Sequence, residues 1–230
     1  MSNHYEAPPE VRELEKTLCQ FAYANGFDRA EVFYDLLKYI ISYFTWKFQS
    51  IEAWRYNKEQ TIVFWKMLTQ WFLIMDRQTI GKKWYDAFGD LYMAIIGSSS
   101  RTKKLGQNFS PDTICELMSK ITESEKGSNG MILDPTCGSG CLLLAAHAEH
   151  PTNYLLAEDI DHTCCMMTVC NFIIHGCHGE VIWHDSLNPD SYYGGWLVNE
   201  HLGKCGIPSV REISQEESAL WNFWQHRRQE

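Results

Sequence analysis

The sequence predicts an α/β fold. A helical N-terminal domain over residues 1–100 is followed by an open sheet layered with helices over 101–203, and by a tail with one helix over 204–230. Three observations predict it. Apolar residues recur at helical spacing through the first hundred positions. The apolar run Met131-Ile132-Leu133 ends in Asp134, turns through Gly138-Ser139-Gly140 and continues into the apolar Cys141-Leu142-Leu143-Leu144. A second apolar run, Tyr154-Leu155-Leu156-Ala157, ends in Glu158-Asp159, with Asp159 lying 19 residues past Gly140. Strand, glycine turn, helix and a second acid-tipped strand are the parts of an open α/β sheet, which binds ligands at the carboxyl ends of its strands.

The helical domain follows from spacing and caps. Val11, Leu14, Leu18, Phe21 and Ala22 predict a helix from Pro9 to about Ala24, which Asn25-Gly26 ends. Asp28 is placed to cap a second helix carrying Val32, Phe33, Leu36, Leu37, Ile40, Ile41, Phe44 and Phe48. A third, about Lys58 to Met75, carries Ile62, Trp65, Leu68, Trp71 and Phe72. A fourth, about Lys83 to Ile96, carries Trp84, Phe88, Leu91, Tyr92 and Ile95. Aromatics at this spacing predict a packed core. Gly97-Ser98-Ser99-Ser100 reads as a linker, and Arg101, Lys103 and Lys104 follow it.

Ser110-Pro111-Asp112 predicts a helix start, with Ser as cap, Pro first and Asp against the dipole. Lys126 to Gly130 predicts a turn before the central strand. After the second strand, residues 162–175 predict a helix ended by Gly176, then a third strand at Val181-Ile182-Trp183. Ser214-Gln215-Glu216-Glu217 reads as a capping box opening a last helix to about Arg228.

The glycine turn is not a phosphate loop. Cys141-Leu142 stands where a Lys-Ser/Thr pair belongs, and Leu143 occupies the third position of the dinucleotide fingerprint. Asp159 does lie near the ~20-residue offset at which an acid meets ribose hydroxyls. His162, Cys164, Cys165, Cys170, His175, Cys177 and His178 crowd one region, in a spacing that fits no common zinc pattern.

Four motifs resemble the adenine-specific (N6) DNA methyltransferases of the type I modification-subunit group. Asp134-Pro135-Thr136-Cys137-Gly138-Ser139-Gly140 matches that group's Asp-Pro-x-Cys-Gly-Ser-Gly, and Gly106-Gln107-Asn108-Phe109-Ser110-Pro111 resembles its Gly-Gln-x-aromatic-Thr-Pro. Asn171-Phe172-Ile173-Ile174-His175-Gly176 is similar to its Asn-x-x-x-His-Gly helix end. His184-Asp185-Ser186-Leu187 is similar to its Gly-Asp-Ser-Leu, with His184 in place of Gly. The resemblance covers about residues 84 to 190.

It implies a Rossmann-like class I methyltransferase sheet, incomplete here, and S-adenosylmethionine or S-adenosylhomocysteine as cofactor. It implies Phe109 and Ser110 at the methionine end, and Asp134, Thr136, Gly138, Ser139 and Gly140 along the spine. Asp159 and Ile160 would meet the ribose and its base, and Asp185 and Ser186 the adenine edge. In the family a fourth strand ends in Asn/Asp-Pro-Pro-aromatic, which receives a flipped adenine. Here Gly195-Trp196-Leu197-Val198-Asn199-Glu200-His201 falls at that place, leaving Asn199 as the one catalytic candidate, and four strands are visible in the sequence. The fourth strand is then expected to leave an open edge, covered by the tail helix or by a second copy of the chain.

Charge bears on partners. Residues 1–104 hold 14 basic and 12 acidic groups, whereas residues 105–200 hold 2 basic and 13 acidic, net −11. DNA phosphates need Lys and Arg against them. DNA binding is therefore expected through a partner subunit or a second copy, a homodimer included. No run of 18 apolar residues occurs, so no membrane span is expected. Nine cysteines without a Cys-x-x-Cys pair fit reduced thiols in a cytoplasmic protein. Three functions stay open: an N6-adenine DNA methyltransferase completed by a partner, a non-catalytic cofactor-binding or assembly module, and methyl transfer to a substrate other than DNA.

Overall fold

A computed structural model describes residues 6–45, 54–96, 109–122, 130–188 and 190–227. The linker at 97–100, the basic residues 101, 103 and 104, and the motif residues 106–108 lie outside them. Two compact units are present: Met1–Tyr43 with Phe48–Phe109, and Phe44–Lys47 with Ser110–Glu230.

The first unit holds α1 (Arg12–Asn25), α2 (Arg29–Tyr43), α3 (Lys58–Gly81) and α4 (Ala87–Ile96). Gly26 ends α1 at φ 70°, a left-handed position open to glycine. Asp28 accepts the Ala30 N–H at 2.8 Å ahead of α2. Asn57 and Gln60 form a reciprocal capping box on α3 that the sequence reading passed over. The buried face of α3 is Phe64, Met67, Leu68, Trp71 and Met75. Ile62 and Trp65, expected inside, are 61% and 48% exposed. Trp71 packs on Phe88, and Phe33 on Phe88 and Tyr92.

The second unit is a five-stranded mixed sheet in the order β1 (Met131–Asp134), β2 (Tyr154–Asp159), β3 (Gly179–Trp183), β4 (Gly194–Val198), β5 (Val210–Glu212). Its helices are α5 (Asp112–Thr122), α6 (Cys141–Glu149), α7 (His162–His175), the short α8 (Leu202–Cys205) and α9 (Ala219–Arg227). β1, β2 and β3 are parallel, joined through α6 and α7. β4 turns back antiparallel to β3, and β5 is antiparallel to β4. The ten residues between Trp183 and Gly194 explain the reversal, because a parallel crossover needs about a dozen or more.

Three expectations are corrected. The sheet has a fifth strand, which pairs the edge of β4, and Thr45 bridges Val210 beyond it. The tail helix therefore covers a face of the sheet and not that edge. Leu220 packs with Leu156, Ile182 and Ile213, and Trp224 lies against the same cluster. The Ser214–Glu217 segment is a turn; α9 begins at Ala219, with the Ser218 hydroxyl accepting the Trp221 N–H. The tail thus joins the sheet unit through both β5 and α9.

No helix among the described residues is long and apolar enough to cross a membrane.

Candidate functional site

Parallel pairing puts the carboxyl ends of β1, β2 and β3 side by side, and each is tipped by an acid: Asp134, Asp159 and Asp185. The Ser186 hydroxyl, just after β3, donates to the Pro135 carbonyl at 2.6 Å, so the outer loops are tied across β2.

The turn after β1 is fixed from several sides. The Cys137 N–H donates to the Glu158 carbonyl at 2.8 Å and the Gly138 N–H to Asp159 Oδ2 at 2.9 Å. Gly138 and Gly140 stand at φ 57° and 86°, where a side chain is strained. A Cβ on Gly140 would also meet Thr168 Cγ2 at 3.0 Å. From α7, the Thr168 hydroxyl donates to the Gly138 carbonyl at 3.0 Å and the Asn171 amide to the Ser139 carbonyl at 2.8 Å. Thr168 escaped the sequence reading. The signal for it is a polar pair three residues apart in an otherwise apolar helix, both fully buried.

The acids differ in what satisfies them. Asp134 is buried; its Oδ1 accepts the Thr136 N–H at 3.1 Å, and its Oδ2 has no hydrogen-bond partner among the described residues. Burial raises its pKa, the Thr136 N–H opposes the rise, and nearby Glu158 adds to it. Asp159 accepts from Gly138 and, at 2.8 Å, from the Asp161 N–H, leaving each oxygen a further lone pair. Burial raises it as well; those two N–H groups pull it down, and the charges of Asp161 and Asp134 push it up. Asp185 is half-buried and accepts the Leu187 N–H at 3.0 Å. Ile160 is 61% exposed at the tip of β2. The result is a rim of acids around backbone N–H groups, without a described Lys or Arg bonded to Asp134 or Asp159. It suits a ligand that is cationic, rich in hydroxyls, or both.

Glu158 is a different matter. It points to the other face, where Trp224 Nε1 donates to it at 2.7 Å and His184 Nε2 lies 3.3 Å away, an ion-pair distance without good hydrogen-bond alignment. Burial opposes its ionisation, yet His184 and then Trp224 hold its pKa below the ordinary value. It anchors the tail.

Of the remaining sequence candidates, Thr136 is exposed at the outside of the turn, and Ser139 is fully buried within it. The Ser110 carbonyl accepts from the Cys141 thiol at 3.6 Å, beside the start of α6. Phe109 falls in the helical unit, its ring 5.4 Å from Tyr92. Asn199 is not brought to this end. Because β4 runs backwards, Asn199 lies at the amino end of β3. It is buried at φ 59°, its amide donates to the Phe172 and Cys177 carbonyls at 2.9 Å each, and its oxygen accepts the Ser209 N–H. That is a fully engaged structural amide, which corrects its catalytic candidacy. The cysteines of the His/Cys-rich stretch, Cys164, Cys165, Cys170 and Cys177, are core, and burial brings the pKa of His175 down to about 4.

A family model described as N-6 DNA Methylase matches residues 83–198, half of the chain, and takes in the glycine turn and all three acid-tipped strands. The chain belongs to the N-6 DNA methylase family. Among individual relatives, the methylase subunit of the type I restriction enzyme MjaVII of Methanocaldococcus jannaschii is 31% identical over 120 residues, 48% of this chain and 20% of that protein. The methylase subunit of the type I restriction enzyme MpnII of Mycoplasma pneumoniae is 31% identical over 108 residues, 44% of this chain and 20% of that protein. A solved type I restriction-modification methyltransferase subunit from Streptococcus thermophilus is 20% identical, covering 82% of this chain and 42% of that one, with a TM-score of 0.39. The matched region spans about a fifth of the length of the curated relatives.

Proposed function

We propose that this N-6 DNA methylase family chain binds S-adenosylmethionine, or S-adenosylhomocysteine, at the carboxyl ends of β1 to β3, as the cofactor-binding part of an adenine-N6 DNA methylation system. The observation that carries the reading is the buried, unpartnered Asp134 oxygen beside a second acid and a glycine turn. A buried acceptor without a protein donor is met by water or by a ligand's donor or cation, and the neighbouring acid and glycine turn favour the ligand.

Asp134, Thr136, Gly138, Ser139 and Gly140 would hold the methionine portion, with Ser110 and Phe109 preceding them in the motif. Asp159 would accept the ribose hydroxyls on its remaining lone pairs, Ile160 would lie against the adenine ring, and Asp185 and Ser186 would meet the adenine edge. When bound, the cofactor supplies an electrophilic methyl group on a sulfonium. The chain's own acids favour that cation, and Thr168 and Asn171 keep the turn in shape before it arrives.

The acceptor side of the reaction is proposed to come from a partner subunit. No Pro-Pro follows Asp185 in these 230 residues, and Asn199 is committed to the far end of the sheet. A partner subunit would also bring the basic surface that residues 105–200 lack. The outer edge of β1 is unpaired among the described residues, and α5 exposes Ile114, Leu117, Met118 and Ile121 on one stripe. Both suit such an addition. A non-catalytic assembly module is the second reading, favoured by the same position of Asn199.

Titration calorimetry with S-adenosylmethionine and S-adenosylhomocysteine tests the binding. Saturable one-site binding is expected, weakened by about 1–3 kcal/mol in Asp159→Ala, the scale of hydrogen bonds lost to a charged group. No binding, or unchanged affinity in the variant, contradicts the assignment.

A further inference from the structure

Cys115 and Cys141 are both thiols, buried at 0% and 5% exposure, with their sulfurs 3.1 Å apart. One lies in α5, the other is the first residue of α6, directly after Gly140. Both thiols also reach the same acceptor, the Ser110 carbonyl, at 3.6 Å each. Their separation is about 1 Å longer than a disulfide bond.

We propose that Cys115 and Cys141 form a site of reversible two-electron oxidation, closing as an intramolecular disulfide when the protein meets a peroxide. The geometry selects this pair. Cys19 turns to the Glu15 carboxylate, and Cys205 to backbone carbonyls. Cys137 turns to the Thr168 hydroxyl at 3.4 Å.

The chemistry balances with hydrogen peroxide as the oxidant. One thiolate attacks a peroxide oxygen, the O–O bond breaks, and a sulfenic acid and one water result. The second thiolate attacks the sulfenic sulfur, the S–O bond breaks, and the leaving hydroxide takes a proton to give a second water. Two sulfurs are each oxidised by one electron, and one peroxide is reduced. A dithiol reductant reverses the step by thiol–disulfide exchange. Burial makes a small oxidant reaching the pair through local opening the relevant reagent.

The bond would fasten the helix that starts beside Ser110 to the helix that starts at the glycine turn, closing a loop that contains all of β1. Closing that loop restricts the unfolded chain, so the oxidised protein should unfold at a higher temperature.

The test uses the full reduced chain, freed of reductant, treated with hydrogen peroxide, alkylated and mapped by peptide mass spectrometry. A Cys115–Cys141 peptide pair lighter by two hydrogens is expected, formed within monomers, reversed by dithiothreitol, and accompanied by a raised unfolding temperature. Cys115→Ser and Cys141→Ser should each abolish it, with circular dichroism checking that both variants fold. The wild-type map decides the matter even where a variant fails to fold. Persistence of both thiols while Cys19 or Cys205 oxidises would overturn the proposal, as would a different pairing. A lowered unfolding temperature would overturn the claim that the pair is prearranged.

Discussion

At Asp134 the chain buries a carboxylate oxygen that no described donor meets, an arrangement that costs the fold something. Asp134→Asn is therefore expected to leave the unliganded protein as stable or more so, with an unfolding midpoint unchanged or raised. Affinity for S-adenosylmethionine should fall about tenfold or more, the lower end of losing a charged hydrogen bond. A clearly lowered midpoint would show that the charge serves the fold instead. pH sensitivity follows from the same groups. The raised folded-state values of Asp134 and Asp159 give stability that is complete at low pH and lost as pH rises through them. Binding a cation recovers that loss. The rise in unfolding temperature produced by S-adenosylmethionine should accordingly grow as pH rises from the ordinary carboxylate range through the raised values of these two acids. A shift that shrinks over this span would count against the acid rim. Gly140→Ala places a side chain at φ 86° against Thr168 and should cost about 1–3 kcal/mol in urea unfolding.

Among elements, α9 has the most definite attachment. Glu180 accepts the Ala219 and Leu220 N–H groups, the Ser218 hydroxyl and the Tyr154 hydroxyl, so a buried carboxylate caps the tail helix from β3. Glu180→Ala should destabilise the sheet unit by about 1–3 kcal/mol, because those donors lose their acceptor. Unchanged urea stability would show that α9 is held by its apolar face alone. Glu158 works with the opposite pH sign to Asp134. Its value is lowered, so its contribution is present above the ordinary carboxylate pKa and lost as pH falls through the lowered one. The elements also show what a sequence reveals. Gly26, Asp28 and Gly140 announce their turns because backbone geometry requires those residues. In α3, Leu68 and Trp71 are buried as expected but Ile62 and Trp65 are not, because apolar residues surround that helix and spacing alone does not favour Phe64 over Trp65. β5 has three residues and no alternation to detect. The reversal of β4 was legible in the short loop before it; the expectation of a family-like fourth strand obscured that.

At the scale of the whole molecule, the acid-tipped strands were readable because they are contiguous motifs. What fixes the glycine turn beside them comes from α7, whose Thr168 and Asn171 look like minor polar interruptions until the helix is folded over the turn. Asn199 shows the limit of carrying a motif by position: the next strand runs the other way, and its end belongs to the opposite side of the sheet. The chain alone, with net charge −11 over residues 105–200, is expected to transfer no radiolabelled methyl groups to unmethylated genomic DNA. Clear incorporation by the purified chain would contradict the proposed need for a partner subunit. The most direct measurement is a nitrogen-15 NMR titration with S-adenosylmethionine. The account predicts that the backbone amides of Gly138, Ser139, Gly140 and Ile160 shift together and saturably, while those of Asn199 and Ser209 stay in place. Shifts confined to another region, or none at saturating ligand, would contradict it.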